Sequence, residues 1–175
     1  MQVVNSECIA PRNTDQALAR LAVRVGRHLL RTGRMAATAE SCTGGWIAKA
    51  LTDIAGSSQW FAEGFVTYSN AAKSRRLGVP RAVLRAGGAV SEAVARAMAR
   101  GALVRSGAHV AVAVTGIAGP GGAVPGKPVG TVWMAWAVKC GRKSCVSAEL
   151  KHFKGDRDAV RRKTVRAAMA GILDR

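Results

Sequence analysis

The segment from Ala39 to Gly45 reads Ala-Glu-Ser-Cys-Thr-Gly-Gly and places a serine hydroxyl where an apolar stretch gives way to a helix. A serine on so tight a turn can project its hydroxyl out of the fold, and the backbone N–H groups that follow can stabilise an oxyanion or a phosphate. Spacing alone favours a simpler interpretation, in which Ser41 is a helix N-cap. The alternative is nucleophilic attack by Ser41. The substrate contacts would then come from the residues after it, Thr43, Gly44 and Gly45.

A second stretch joins the only tyrosine of the chain to a lysine. Tyr68 ends an apolar segment, and Lys73 follows five positions later on the first turn of a predicted helix. A lysine near a serine can act as its general base when burial or neighbouring charges lower its pKa. Taken alone, these residues favour the simpler interpretation, in which Lys73 lies at the surface and Tyr68 closes a strand.

A third stretch, Thr115 to Gly122, is rich in glycine and follows an uninterrupted apolar run from Val110 to Val114. A loop in that position suits an anion or another ligand. It lacks the Lys-Ser/Thr ending of a nucleoside-triphosphate loop and the G-x-G-x-x-G spacing of a dinucleotide site. The alternative is a mobile connecting loop. Its candidate ligand contacts are Thr115, Gly116 and Gly119.

The cysteines and histidines indicate no further chemistry. Cys42 adjoins Ser41 and is a rival nucleophile, but no histidine has a motif-based reason to partner it, so we expect a small buried residue. The four cysteines show no C-x-x-C spacing and the three histidines stand alone. This pattern predicts neither a disulfide framework nor a metal site, favours a reducing compartment, and leaves us expecting no cofactor.

The elements that must position these residues follow from apolar spacing. The predicted helices span about 14–31, 43–54, 70–77, a short segment after Pro80, 91–105 and 156–173; the predicted strands span 35–39, 64–68, 110–114, 131–138 and 144–153. Strands that alternate with helices and end in a hairpin imply an α/β fold, a single three-layer α/β/α domain with a mixed, mostly parallel sheet. Ligands collect at the carboxyl ends of strands in such sheets, where all three stretches lie. We expect this domain to span residues 14–175 after a flexible leader, residues 1–13.

The charge balance raises nucleic acid as a partner. The 175 residues include 27 Lys+Arg and 10 Asp+Glu, a formal net charge of +17. The predicted first helix carries an arginine stripe, and Arg161, Arg162, Lys163 and Arg166 form a basic cluster near the C-terminus. The basic residues are nevertheless spread over almost every helix, without helix-turn-helix or zinc-finger spacing and with few interleaved aromatics. We therefore expect solvated helix faces and do not expect nucleic acid as the main partner.

Nothing in the chain predicts a membrane or secretory destination. No apolar run reaches the roughly 20 residues that cross a bilayer. The first residues lack a basic region followed by an apolar block, so no secretory signal is expected. We expect a cytoplasmic protein with no membrane partner.

Six segments taken together resemble the CinA C-terminal-domain family, whose enzymes are nicotinamide-nucleotide amidohydrolases. They occur in the family's order and cover roughly Leu18 to the C-terminus: 39–45, 68–70 with Lys73, 88–92, 114–122, 128–132 and 153–157. Each segment alone is a weak signal, but jointly they are highly specific. The family's α/β/α fold with a mixed sheet is similar to the one predicted above.

The resemblance implies deamidation of nicotinamide mononucleotide to nicotinic acid mononucleotide and ammonia, a pyridine nucleotide salvage reaction, without a metal. The family's nucleophilic serine matches Ser41, which implies a serine acyl-enzyme, and the lysine and tyrosine that assist it match Lys73 and Tyr68. The family's site threonine and arginine match Thr115 and Arg157, of which Arg157 would serve the substrate phosphate or the site's electrostatics. The partner would be a small nucleotide substrate, and a homodimer is the family-based expectation.

The mechanism we expect is acyl transfer in which neutral Lys73 takes the Ser41 proton while Tyr68 orients or relays it. Backbone N–H groups near Thr43 and Gly44 would hold the oxyanion. The chain departs from the family at Ala123, where a third glycine is frequent. It also shows only a short leader where many relatives carry a pyrophosphatase domain, so we expect that second activity to be absent.

Three alternatives stay open on the sequence. One is a non-catalytic competence/damage-inducible-type protein that binds nucleic acid or a nucleotide. Another is an amidase of the same fold that acts on a different substrate. The last is a degenerate paralogue with the motifs and little turnover. Pocket shape, which the motifs do not determine, decides among substrates.

Overall fold

The computed structural model describes residues 14–141 and 143–175. Within these residues the helices are α1 (Asp15–Arg31), α2 (Trp46–Thr52), α3 (Asn70–Leu77), α4 (Arg81–Gly87), α5 (Glu92–Ser106) and α6 (Arg157–Leu173), with a 3-10 turn at Ser57–Gln59. The strands are β1 (Ala36–Glu40), β2 (Phe61–Val66), β3 (Val110–Gly116), β4 (Thr131–Cys140) and β5 (Lys143–His152). The predicted leader, residues 1–13, lies outside the described residues.

The strands form one sheet in the order β2-β1-β3-β4-β5. β1 pairs in parallel with both β2 and β3, whereas β4 pairs antiparallel with β3 and with β5. In this sheet β4 therefore runs against the other four strands, as the predicted hairpin requires. Helices pack on both faces. The prediction of a three-layer α/β/α domain with a mixed, mostly parallel sheet is confirmed.

The two faces of the sheet differ in the size of their side chains, because successive residues of a strand point to opposite faces. On β3 and β4, the face that packs against α1, α2 and α6 carries Val110, Val112, Val114, Met134 and Trp136. The face that packs against α3, α4 and α5 carries Ala111, Ala113, Ala135 and Ala137. We call these the large-residue face and the alanine face.

Side-chain caps begin helices α1 and α5. Thr14 caps α1 by accepting a hydrogen bond from the N–H of Ala17, and Ser91 caps α5 by accepting one from the N–H of Val94. Gly101 lets α5 pack tightly against the end of α3, because a Cβ there would overlap the Leu77 carbonyl oxygen. This contact anchors α3, the helix that carries one of the predicted site residues.

Two element boundaries and one cysteine prediction are wrong. The helix predicted from Thr43 begins only at Trp46, because the preceding residues form a turn, and the strand predicted over 64–68 spans Phe61–Val66. Cys140 and Cys145 form a disulfide, although their spacing predicted none. The β4–β5 hairpin register brings their Cα atoms to 6.0 Å, within the range that a disulfide spans.

No helix among residues 14–141 and 143–175 combines the length and the apolar character that a membrane crossing demands.

Candidate active site

Ser41 and Lys73 meet at the carboxyl end of β1. The side-chain alternation of β1 directs Glu40 to the large-residue face and Ser41 to the alanine face, where α3 packs. Lys73 Nζ, reaching from α3, lies 2.9 Å from Ser41 Oγ. Both residues are buried, with exposures of 8% for Ser41 and 1% for Lys73. The interpretation of Lys73 as a surface residue is wrong. That of Ser41 as an N-cap is also wrong, since Gly45 occupies the N-cap position of α2.

The surroundings of Lys73 favour its neutral form. Burial lowers the pKa of the Lys73 amine, because desolvation penalises its charged form. Its Nζ lies 2.9 Å from the carbonyl oxygen of Thr67 and 3.0 Å from that of Tyr68. A neutral amine can donate its two N–H bonds to these carbonyls and direct its lone pair at the Ser41 hydroxyl. This geometry suits a general base.

The turn after Ser41 winds around the buried carboxylate of Glu40. One oxygen, Oε2, accepts hydrogen bonds from the Thr43 hydroxyl at 2.7 Å and from the N–H groups of Gly45 and Ile47 at 3.0 Å. The other, Oε1, accepts from the Ala48 N–H at 2.8 Å. A carboxylate that takes up the first N–H groups of a helix satisfies donors that otherwise lack partners. Glu40 therefore holds the turn and the start of α2 together.

The oxyanion contacts predicted at this turn need a correction. The Gly44 N–H is donated to the Ser41 carbonyl oxygen at 3.1 Å, and the Gly45 N–H is donated to Glu40. In the described part of the chain, the Thr43 N–H has no hydrogen-bond acceptor, and the Cys42 N–H has none outside its own residue. These two groups directly follow Ser41, and they replace Gly44 as the candidate oxyanion donors.

Cys42 is buried in the apolar core of the large-residue face. Burial raises the pKa of its thiol to about 12, so the reactive thiolate is scarce at neutral pH. The prediction that Cys42 is a small buried residue is confirmed, and Ser41 has the better chemical environment for attack.

Tyr68, Arg157 and Gly119 form a chain of contacts at the outer rim of the site. The Tyr68 backbone contacts Lys73, while its side chain is 64% exposed and its hydroxyl lies 3.5 Å from Nη2 of Arg157. Arg157 Nη1 donates to the Gly119 carbonyl oxygen at 2.8 Å. The contact of Tyr68 with Lys73 thus runs through its carbonyl, and its phenol faces the arginine at the site entrance.

The other predicted contacts lie at the end of β3, beside β1. Thr115 is buried, and its hydroxyl donates to the Ala89 carbonyl oxygen at 2.8 Å. Gly116 packs so closely on Val132 that a Cβ would lie 2.7 Å from that side chain. The Ser41 N–H donates to the carbonyl oxygen of Val114, the residue before Thr115. The three predicted stretches therefore share one edge of the sheet.

Sequence reasoning missed two residues at this edge. Glu40 had a usable signal, because an acidic residue that ends a buried strand just before a helix indicates a capping carboxylate. Arg161 was grouped with a solvated basic cluster. It lies four residues after Arg157 on α6, and that spacing places both on one helix face. Its side chain reaches the carbonyl oxygens of Cys42 and Thr43.

Arg157 carries a permanent positive charge at the entrance of this edge, whereas Lys73 lies in its interior. A guanidinium suits an anionic ligand. Across the residues that the structure describes, no group of three or more His, Cys, Asp or Glu side chains could hold a metal ion. The arrangement can therefore deliver a serine nucleophile, a lysine base, backbone donors and an arginine.

The chain is similar in sequence to proteins of one known family. A model of the CinA C-terminal domain matches residues 18–175. The nicotinamide-nucleotide amidohydrolase PncC of Pseudomonas putida is 57% identical over 153 residues, which cover 87% of this chain and 93% of that protein. The protein of the same name from Escherichia coli (strain K12) is 51% identical over 160 residues, covering 89% of this chain and 93% of that protein.

Solved structures agree with these sequence matches. The crystal structure of the competence/damage inducible protein CihA from Agrobacterium tumefaciens has a TM-score of 0.85 and 46% identity, and the match covers 93% of this chain and 97% of that one. The CinA superfamily protein ECK1530/EC0983 from Escherichia coli has a TM-score of 0.84 and 36% identity, covering 99% and 93%. The resemblance seen in the motifs is confirmed, and the chain belongs to the CinA C-terminal-domain family.

Proposed function

We propose that this chain is an amidohydrolase that converts nicotinamide mononucleotide to nicotinic acid mononucleotide and ammonia through a Ser41 acyl-enzyme, as in pyridine nucleotide salvage. The observation that carries the proposal is the 2.9 Å contact between Ser41 Oγ and Lys73 Nζ. The names of the relatives from Pseudomonas putida and Escherichia coli supply the substrate.

The first step is attack of Ser41 on the carboxamide carbon. The neutral form of Lys73, which burial favours by lowering the pKa of the amine, takes the Ser41 proton as the new C–O bond forms. A neutral amine also avoids repelling the cationic pyridinium ring of the substrate. The carbonyl π electrons move onto the oxygen, which the N–H groups of Cys42 and Thr43 stabilise.

The second half of the reaction returns the enzyme to its starting state. The tetrahedral intermediate expels ammonia, and the departing nitrogen takes its proton from the Lys73 ammonium. Lys73, neutral again, removes a proton from water as the water attacks the acyl carbon. Ser41 leaves with that proton, which gives the nicotinate product and the free hydroxyl.

The entrance residues would bind the nucleotide part of the substrate. Arg157 already donates to Gly119 through Nη1, and its remaining N–H groups face outward at the Tyr68 hydroxyl. A guanidinium pairs well with a phosphate, so we assign the substrate phosphate to Arg157. The Thr115 to Gly119 segment would line the opposite side of the substrate.

A nucleic-acid-binding role explains less of the structure. A lysine that contacts phosphates is exposed and charged, whereas Lys73 is 1% exposed and directed at a serine hydroxyl. The arginine stripe of α1 is exposed and lies in the helix layer opposite α3. We therefore place amide hydrolysis ahead of nucleic acid binding.

The test is ammonia release from nicotinamide mononucleotide by the purified protein. We expect turnover in the wild type and none above background in Ser41→Ala, with Ser58→Ala, an exposed serine on the 3-10 turn, as the matched control. Acid-quenched wild type should carry the substrate acyl group on Ser41 in a peptide mass spectrum. Full activity in Ser41→Ala would refute the acyl-enzyme. A wild type that releases no ammonia would refute the substrate assignment.

A further inference from the structure

Arg161 contacts the turn of residues 41–45, which we call the nucleophile turn, and not the entrance of the site. Its Nε donates to the carbonyl oxygen of Cys42 at 3.2 Å, and its Nη2 donates to that of Thr43 at 2.8 Å. The guanidinium carbon lies 5.3 Å from the centre of the Trp46 ring, so the two groups make a cation–π contact. One planar group therefore holds two consecutive carbonyls in a fixed orientation.

The orientation of a carbonyl determines that of the next N–H group. In a trans peptide the C=O of one residue and the N–H of the next point in opposite directions, and the only cis bond among the described residues is Gly119–Pro120. The peptide between Thr43 and Gly44 shows the effect, since its oxygen faces Arg161 while its N–H reaches the Ser41 carbonyl oxygen.

The same rule applies to the preceding peptide. The Cys42 oxygen faces Arg161, so the Thr43 N–H points away from the Arg161 guanidinium. That N–H has no acceptor among residues 14–141 and 143–175. A backbone donor without a partner, held beside a nucleophile, is what a developing oxyanion needs.

We propose that Arg161 is a positioning residue that orients the Cys42–Thr43 peptide so that the Thr43 N–H receives the oxyanion of the substrate. This inference rests on the proposed acyl transfer at Ser41. Arg161 acts through the turn: two of its nitrogens are bound to carbonyls, and its contact with Trp46 is on the helix layer opposite Lys73. Its effect should therefore fall on the chemical step.

Arg162 offers a matched control on the same helix. Its guanidinium carbon lies 4.8 Å from the centre of the same Trp46 ring, and it pairs with Asp15 and Asp158. It makes no hydrogen bond to the nucleophile turn in the described residues. Replacing either arginine by methionine removes one charge and one contact with Trp46, but only the Arg161 change frees the two carbonyls.

The experiment measures kcat and KM for nicotinamide mononucleotide in Arg161→Met and Arg162→Met, with a melting curve for each. We expect Arg161→Met to lower kcat by roughly 10- to 100-fold, less than the loss of a whole oxyanion donor, with KM changed by less than about threefold. Arg162→Met should keep kcat within about twofold of the wild type. Equal kcat in the two variants, or a loss in Arg161→Met that lies in KM, would overturn the inference.

Arg161→Lys separates charge from geometry and serves as a second variant. Lysine keeps the positive charge but has one nitrogen, so it cannot hold both carbonyls as the planar guanidinium does. We expect Arg161→Lys to stay well below the wild-type kcat. Wild-type kcat in this variant would show that charge alone matters and would overturn the positioning role.

A second readout separates this inference from the choice of substrate. A fluorophosphonate probe phosphonylates an activated serine and leaves an oxygen in the oxyanion position, so its rate of reaction at Ser41 depends on the same donor. We expect slower labelling in Arg161→Met than in Arg162→Met, measured by intact mass. That result with no ammonia release would refute the proposed substrate and keep the inference. Equal labelling rates would overturn the inference. No labelling of wild-type Ser41 would overturn both the inference and the proposed Ser41 acyl-enzyme.

Discussion

The large-residue face and the alanine face of the sheet have different tasks at the site. β1 sends Glu40 to the large-residue face, where it accepts hydrogen bonds from the start of α2, and Arg161 of α6 approaches from the same layer. Ser41 turns to the alanine face, where Lys73 of α3 meets it. One layer therefore holds the turn, and the other brings the Lys73 amine to Ser41.

Side-chain size explains the division. On the large-residue face, Met134 and Trp136 fill the space between the sheet and the helices, with the Trp136 N–H donating to the Ala168 carbonyl oxygen at 3.0 Å. On the alanine face, small residues let α5 lie close, and α3 packs against α5 through Gly101. Close packing excludes water from Lys73, and this exclusion lowers its pKa.

Removing the amine on the alanine-face side should have the largest effect. We expect Lys73→Met to lower kcat/KM for nicotinamide mononucleotide by roughly 10³-fold or more, since Ser41 then lacks its base. The control is Lys49→Met, an exposed lysine paired with Asp53 on α2, which should keep its activity. If Lys73→Met is as active as Lys49→Met, the base lies elsewhere.

Trimming the large-residue face should cost stability. Met134→Ala leaves a cavity under α6 and should lower the free energy of unfolding by about 2–5 kcal/mol in chemical denaturation. Val104→Ala, at an apolar side chain that is 73% exposed, should change it by less than about 0.5 kcal/mol. A similar small effect for Met134→Ala would mean that the core under α6 is loosely packed.

Enlarging the alanine face should cost less than trimming the other. Ala113→Leu forces extra volume between β3 and α5 and should lower the free energy of unfolding by about 1–3 kcal/mol. Ala86→Leu, on the exposed side of α4, is the control and should be nearly neutral. If Ala113→Leu is also neutral, space remains between the sheet and α5, and the close packing inferred there is wrong.

The last prediction concerns how kcat/KM and stability depend on pH. At pH values below the lowered pKa of Lys73, kcat/KM should fall about tenfold per pH unit, because only the neutral amine accepts the Ser41 proton. At higher pH, kcat/KM should reach a plateau, and this plateau should begin below pH 10.5, the ordinary pKa of lysine. Because the folded-state pKa is lower than that of the unfolded chain, Lys73 adds to stability as the pH rises from that pKa toward 10.5. A pH–rate profile with no acid limb would show that Lys73 is not the base.

Much of the fold could be predicted because local patterns carry it. The Thr14 and Ser91 caps and the alternation along β3 each depend on residues within one element. The start of α2 was mispredicted because Glu40 takes up N–H groups as far as Ala48, which changes the path of the turn. The Cys140–Cys145 disulfide was missed because it depends on a hairpin register that spacing does not report.

The sequence by itself determined the order of elements, the position of Ser41 at the end of a buried strand and, through its motifs, the family. Only the tertiary structure decided that Lys73 lies against Ser41, that the Thr43 N–H has no acceptor among the described residues, and that Arg161 contacts the Cys42 and Thr43 carbonyls. Hydrogen bonding and burial depend on which helix covers which face of the sheet. Lys73 is 32 positions from Ser41 and Arg161 is 119 from Cys42, so no local pattern encodes these contacts.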